Sequence, residues 1–269
     1  MTAPAPRQPK LTRDELRSLL LETGRTLLIE EGMGTGVDHL TFKRVFDRVE
    51  ADTGRRLSNA SVIRRVWDNL ADYQADVLVT IATQDGLGEF ESTFAALIPV
   101  LASMDLSTPE ARDRSLREAC RVGGSANITV LLESPDWWLW ITVWSLAMAD
   151  IRPGDDDREI GRRQRLRDAL SEGYESVTGM WEDAYTALVA SFGLRPRPPL
   201  TVRQFTVAIG ALAEGCSLRQ RLDPGMVDIM RPTGPGGGMQ AWTLFGLALE
   251  ALVHQFFEPD PGWVAPPAG

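Results

Sequence analysis

From Leu11 to Phe256 the apolar residues recur at intervals of three and four, and nowhere do they alternate strictly over the length of a strand. That period restricts the chain to packed helices, because only a helix returns residues three and four apart to one face. No Asn-Gly pair flanked by alternating apolar residues marks a hairpin, so the expected fold class is all-α.

The segments can be read in turn. Residues 1–10 carry three prolines without apolar periodicity and read as a disordered arm. Thr12-Arg13-Asp14-Glu15 has the form of a capping box, in which the Thr hydroxyl and Glu carboxylate satisfy backbone N–H groups at a helix start. Leu16, Leu19, Leu20, Thr23 and Leu27 then trace one helical face, which Gly32, Gly34 and Gly36 end. This glycine run follows a helix rather than a strand and lacks a following Gly-Lys-Ser/Thr, so it is no phosphate loop. A second helix starts near Thr41, turns Phe42, Val45, Phe46 and Val49 inward, and leaves Lys43, Arg44 and Arg48 to solvent.

A turn through Thr53-Gly54-Arg55-Arg56-Leu57 leads to Ser58, a good N-cap for a short third helix. On that helix Val62, Ile63, Val66 and Trp67 share one arc, while Ser61, Arg64 and Arg65 share the opposite one. Small polar groups beside guanidinium groups on one exposed face suit the major groove of DNA. An ordinary solvated basic face has the same pattern, and the residues alone leave both readings open.

A fourth helix from Asn69 carries Leu70, Tyr73, Val77 and Ile81, and Gly86-Leu87-Gly88 is its expected break and a plausible hinge. Thr108-Pro109-Glu110 and Ser134-Pro135-Asp136 each open a helix, with a proline in the first turn and an acid against the dipole. A long helix is expected over about 155–192, ended by Gly193 and a proline-rich stretch. Two final helices share a 3,4 seam, Val202, Phe205, Ile209, Leu212 and Cys216 on one, Trp242, Phe245, Leu249, Leu252 and Phe256 on the other. Such seams suit helices crossing at about 20°, antiparallel across the glycine-rich 234–238. They close either on their own core or on the same pair of a second copy across a two-fold axis; the homodimer is the expectation taken here.

The net charge of −9 is unevenly placed. Residues 1–82 hold twelve basic and twelve acidic side chains, so the whole acidic excess lies beyond them. Between Lys43 and Arg65 seven cations face three carboxylates. A local positive excess attracts phosphate even when the rest of a chain is acidic. Catalysis finds few parts: His39 and His254 are the only histidines, and Cys120 and Cys216 stand alone as expected core thiols. No nucleophile triad, metal site or cofactor is expected, nor is an enzyme. The richest apolar run, Trp137 to Ala149, is too short to span a bilayer and lies far from the N-terminus, so a cytoplasmic protein without membrane attachment is expected.

Three segments carry a family resemblance: Leu11 to Gly32; Leu57-Ser58-Asn59-Ala60-Ser61-Val62-Ile63-Arg64-Arg65 leading into Trp67 and Leu78; and Ala211-Leu212-Ala213-Glu214-Gly215-Cys216-Ser217-Leu218-Arg219. Their order and separation resemble the tetracycline-repressor (TetR) family of bacterial regulators. The resemblance implies a helix-turn-helix DNA-binding domain over 11–82, a helical effector-binding and dimerisation domain over 83–258, and a tail over 259–269. It implies a homodimer on a palindromic double-stranded operator, with repression relieved by a small molecule. Thr41, Lys43, Arg44, Arg55, Arg56, Ser58, Asn59, Ser61, Arg64 and Arg65 would then approach DNA, with Arg64 and Asn59 reading bases. Two positions depart from the family: Ile63 stands where a phosphate-contacting Tyr is usual, and Asn69 where a Lys opens the fourth helix. The segment between helices two and three is also longer, and Arg55 and Arg56 within it are candidates to replace the missing contacts. A helical ligand-binding or protein-interaction module with a degenerate head is the alternative. For the effector the resemblance implies a large cavity among the middle helices, and Trp137, Trp140, Trp144, Met148, Met180, Trp181 and Tyr185 are its candidate lining. A plain tryptophan core has the same spacing.

Overall fold

The computed structural model describes residues 10–34, 36–62, 65–84, 86–149, 156–226, 228–232 and 238–264. The protein is mostly helical, and it divides into two compact units. The first comprises residues up to Gln84 together with Pro135–Gly173; the second comprises Asp85–Ser134 and everything from Tyr174. The first unit is thus assembled from two stretches of the chain, whereas the sequence suggested a contiguous division at residue 83.

In the first unit α1 (Arg13–Glu31) begins at Thr12, whose hydroxyl accepts from the Glu15 backbone while the Glu15 carboxylate reaches back. This hydrogen bonding holds the Glu15 carboxyl below its ordinary range. Helix α2 (Phe42–Thr53) begins at Thr41 and stops at Gly54, whose φ of 69° is a left-handed cap that a side chain would strain. A short α3 (Asn59–Val62) and α4 (Leu70–Ala82) follow. Tyr73, fully buried, forms the centre of this core: its hydroxyl donates to the Leu20 carbonyl at 2.8 Å, and its ring meets Trp67 edge-on at 4.9 Å and Phe42 at 5.3 Å. Gly24 makes this possible, since a Cβ there would lie 2.4 Å from the Tyr73 hydroxyl.

Helix α7 (Pro135–Met148) packs on α1 and α4 through Leu139, Val143 and Ala147, all buried. It is apolar on nearly every side, so its sequence period does not announce which side faces a core. The early part of α8 (Asp157–Ser191) adds Leu166, Ala169 and Leu170 to the same core, and Arg162 and Arg165 pair with Asp72 and Asp76 of α4.

In the second unit α5 (Leu87–Ala102) packs on α6 (Pro109–Glu133), and α6 packs on α9 (Val202–Leu222) and α10 (Leu244–Phe256). The α6–α10 crossing is set by two glycines: a Cβ on Gly124 would lie 2.6 Å from the Gly246 Cα. The chain is mostly helical, as expected, and two small antiparallel sheets of short strands join the helices. Strand β1 (Leu194–Pro196) pairs with β4 (Phe257–Pro259), and β2 (Asp228–Pro232) with β3 (Met239–Thr243). Trp242, expected on a helix, therefore sits on β3, opposite Ile229. Strands this short leave too few alternations to stand out from helical spacing. The expected 234–238 connection lies outside the described residues except for Gly238. No helix among the described residues is long and apolar enough to cross a membrane.

Candidate functional site

The residues expected to meet DNA belong to the first unit, and among them Thr41, Lys43, Arg44, Arg56 and Arg65 have side chains engaged with its own groups. Thr41 caps α2, its Oγ1 accepting from the Arg44 backbone. Arg44 pairs with Glu31, Lys43 with Asp47 at 2.8 Å, and Arg56 with Glu50 at 2.6 Å. Arg48 bridges Glu30 and Asp52, and its guanidinium holds the Glu30 carboxyl below the ordinary range. Arg65 does not share an exposed face: it is half-buried and donates to the Leu11 carbonyl at 2.9 Å. Arg55 is half-buried, whereas Ser58 and Asn59 are exposed at the start of α3. The Ser61 side chain, Ile63 and Arg64 lie outside what the structure describes. Asn69 has a local task, capping α4 by accepting from the Asp72 backbone at 2.9 Å.

These pairs are mostly solvent-exposed, and Lys43 and Arg56 each keep 85% of their side-chain surface. Exposed pairs contribute little stability, so a phosphate can exchange with the carboxylate at small cost. The geometry therefore offers an electrically balanced helical surface, α2 and α3, whose apolar half is buried through Val45, Val49 and Val62.

The second unit holds a cavity of about 50 Å³. Helix α5 supplies Thr93, Phe94 and Leu97, and α6 supplies Leu116, Cys120, Gly123 and Asn127. Trp181, Tyr185 and Leu188 come from α8, Phe205 from α9, and Phe245 and Leu249 from α10. This cavity differs in lining and size from the pocket expected from the sequence. Trp137, Trp140, Trp144 and Met148 belong to the first unit, where Trp140 packs against the core and Trp144 and Met148 are exposed. Met180 is in the second unit, but of the expected residues Trp181 and Tyr185 are those that line the cavity. The contributions of α5 and α6 were not anticipated, although 93, 94 and 97 and then 116, 120, 123 and 127 recur at helical spacing.

The cavity wall is aromatic and uncharged. Tyr185 stacks on Trp181 at 5.5 Å and meets Phe205 edge-on at 5.2 Å. Thr93 donates to the Glu89 carbonyl at 2.8 Å, and Asn127 donates weakly to the Thr93 hydroxyl at 3.4 Å. Burial pushes the Cys120 thiol well above its usual range. Burial likewise pushes up the Tyr185 phenol, with Cys120 adding to the effect.

Most of the expected dimer residues are buried within a single copy: Phe205, Ile209, Cys216, Trp242, Phe245 and Leu249. Val202, Leu212, Leu252 and Phe256 are half-buried. The seam expected to meet a second copy is thus largely covered by its own chain, and surface so covered has little left to bury against another. The apolar residues that α9 and the start of α10 expose are Val207, Leu218, Leu222 and Leu244.

Glu214, inside the Ala211–Arg219 motif, is half-buried and accepts from the Tyr174 hydroxyl at 2.8 Å. Burial raises its carboxyl above the ordinary range, and the hydrogen bond offsets part of that rise. A raised folded-state value means that the folded chain holds this proton more tightly than the unfolded one. Its contribution to stability therefore falls as pH rises through the ordinary carboxyl range toward the raised folded value. Glu214→Gln keeps an acceptor for Tyr174 without the buried charge, so it should be more stable than the parent at pH 8 and equal to it at pH 4. Urea midpoints across that range check this; parallel curves would contradict it.

Among the described residues no three His, Cys, Asp or Glu side chains converge as a metal site. No protein-family model, curated protein or solved structure matches the chain.

Proposed function

We propose that the chain is a ligand-responsive DNA-binding regulator of the tetracycline-repressor type, acting as a homodimer on a palindromic operator. The observation that carries this reading is the surface of α2 and α3. Their core-facing half is buried through Val45, Val49 and Val62, the half left outside holds Lys43, Arg44 and Asn59, and the segment between the two helices adds exposed Arg56 and Ser58. Cations and small polar groups on neighbouring short helices are what phosphate positioning and groove contact require. The uncharged cavity of the second unit supplies a place for an effector. Val207, Leu218 and Leu222 on α9 supply an apolar surface for the second copy.

An effector regulates only through a difference in affinity between two states, so effector and DNA must weaken each other by one factor. Arg55 and Arg56 stand in for the family's missing phosphate contacts in this reading. Changing both to Ala should weaken binding to every DNA sequence and lower the salt slope by up to about two units. Titrations at several salt concentrations measure it, and an unchanged slope would remove both residues from the interface.

A second reading is favoured by a specific observation. Lys43, Arg44, Arg48 and Arg56 are each paired with a carboxylate of the same unit. A head so balanced suits a ligand-binding or interaction module that does not hold DNA, and direct binding measurements separate the two.

A further inference from the structure

We infer that the cavity of the second unit takes an uncharged, single-ring aromatic molecule with one hydrogen-bond-accepting oxygen, held by the Tyr185 hydroxyl; this rests on reading the cavity as the effector site.

Charge is the first discriminator. Among the described residues no Lys, Arg, His, Asp or Glu lines the wall. An ionised ligand would leave its hydration shell without meeting a counter-charge, a cost that neutral molecules escape. Aromatic walls are the second. Phe94, Trp181, Tyr185, Phe205 and Phe245 surround the space, and ring faces and edges pair best with another ring.

Size is the third discriminator. A cavity of roughly 150 Å³ holds benzene, whereas this one measures about 50 Å³. A single ring therefore enters by displacing wall side chains, of which Leu97, Leu116 and Leu188 are aliphatic and can change rotamer. Fused rings would require the helices themselves to part.

The anchor follows from the polar groups of the wall. Thr93 is committed to the Glu89 carbonyl, and the Asn127 amide points to Thr93. Tyr185 brings the one wall hydroxyl that no described residue engages. Tyr185 is half-buried, so its hydroxyl stays open to a partner other than the protein, and a protonated phenol is a donor. An oxygen on the ligand completes it.

The test is calorimetric titration of the full chain, without DNA, using acetophenone, ethylbenzene and benzoate as probes. Acetophenone should bind about tenfold more tightly than ethylbenzene, and benzoate at least a hundredfold more weakly than acetophenone. Tyr185→Phe should bring acetophenone down to the level of ethylbenzene and leave ethylbenzene unchanged. Ala119→Phe, which fills the cavity, should abolish both; if that variant does not fold, the conservative Tyr185→Phe still decides. Benzoate bound as tightly as acetophenone, acetophenone unaffected by Tyr185→Phe, or no binding by any probe would each overturn the inference. Adding acetophenone to a DNA-binding titration separates the two readings. Tight binding with DNA affinity unchanged upholds the ligand class and counts against regulation through it, whereas DNA binding that answers another effector while all three probes fail overturns the ligand class alone.

Discussion

Gly124→Val should destabilise the second unit by about 3 kcal/mol or more, at the upper end of what overpacking costs. The new Cβ would lie 2.6 Å from the Cα of Gly246 and 3.0 Å from its nitrogen. Neither atom belongs to a side chain that can rotate away, so α6 and α10 must separate, and the cavity between α5, α6, α9 and α10 loses its wall. In a unit of this size the thermal midpoint should fall by roughly 6–12 °C. The adjacent glycine is the control. A Cβ on Gly123 meets Leu97 at 3.6 Å, an ordinary contact, and alanine has the better helix propensity by about 1 kcal/mol. Gly123→Ala should therefore melt at or above the parent temperature. Calorimetric scans of both variants check the pair, and a Gly124→Val protein melting with the parent would contradict the α6–α10 crossing.

Tyr73→Ala should cost the first unit about 4 kcal/mol, the range for truncating a large buried aromatic. The ring fills the space among Phe42, Trp67 and Gly24, and none of these can close over it without moving α1 relative to α4. Tyr73→Phe isolates the hydroxyl and should cost only about 1 kcal/mol, because the Leu20 carbonyl loses one donor while packing is kept. Urea denaturation followed by circular dichroism gives both values. The ratio between them is the informative quantity: similar losses would mean that the hydrogen bond, rather than the packing, holds α1 to α4.

How much of this was legible in the sequence depends on where the information lies. Caps are local chemistry, and Thr12, Thr41, Thr108 and Thr201 each accept from a backbone N–H three residues on. The first three of those starts were readable from residue type and spacing alone. The role of α7 was not. With tryptophans on several sides its period is nearly silent, and only the fold shows that Leu139, Val143 and Ala147 face α1 and α4. What covers the final seam was illegible for a different reason. A 3,4 spacing fixes which face of a helix is buried but not whose helix covers it, so Phe205 and Phe245 were as compatible with a dimer as with the cavity they line. The β2–β3 pair was hidden by brevity, although a Gly/Pro-rich stretch between Ile229 and Trp242 was a usable signal. On α2, side-chain period correctly separates Val45 and Val49 from Lys43 and Arg44, but it carries no information on Glu30 and Glu31 of α1, which approach Arg48 and Arg44 through tertiary structure.

The central claim, sequence-specific DNA binding by the α2–α3 surface, is tested most directly by fluorescence anisotropy with duplexes from around the chain's own gene and a scrambled control, at several salt concentrations. The account predicts nanomolar binding to one duplex, a clear preference over the scrambled one, and an affinity that falls steeply with salt. Weak and equal binding to all duplexes up to micromolar protein would contradict it, and would favour the module whose Arg44, Arg48 and Arg56 serve only their own carboxylates.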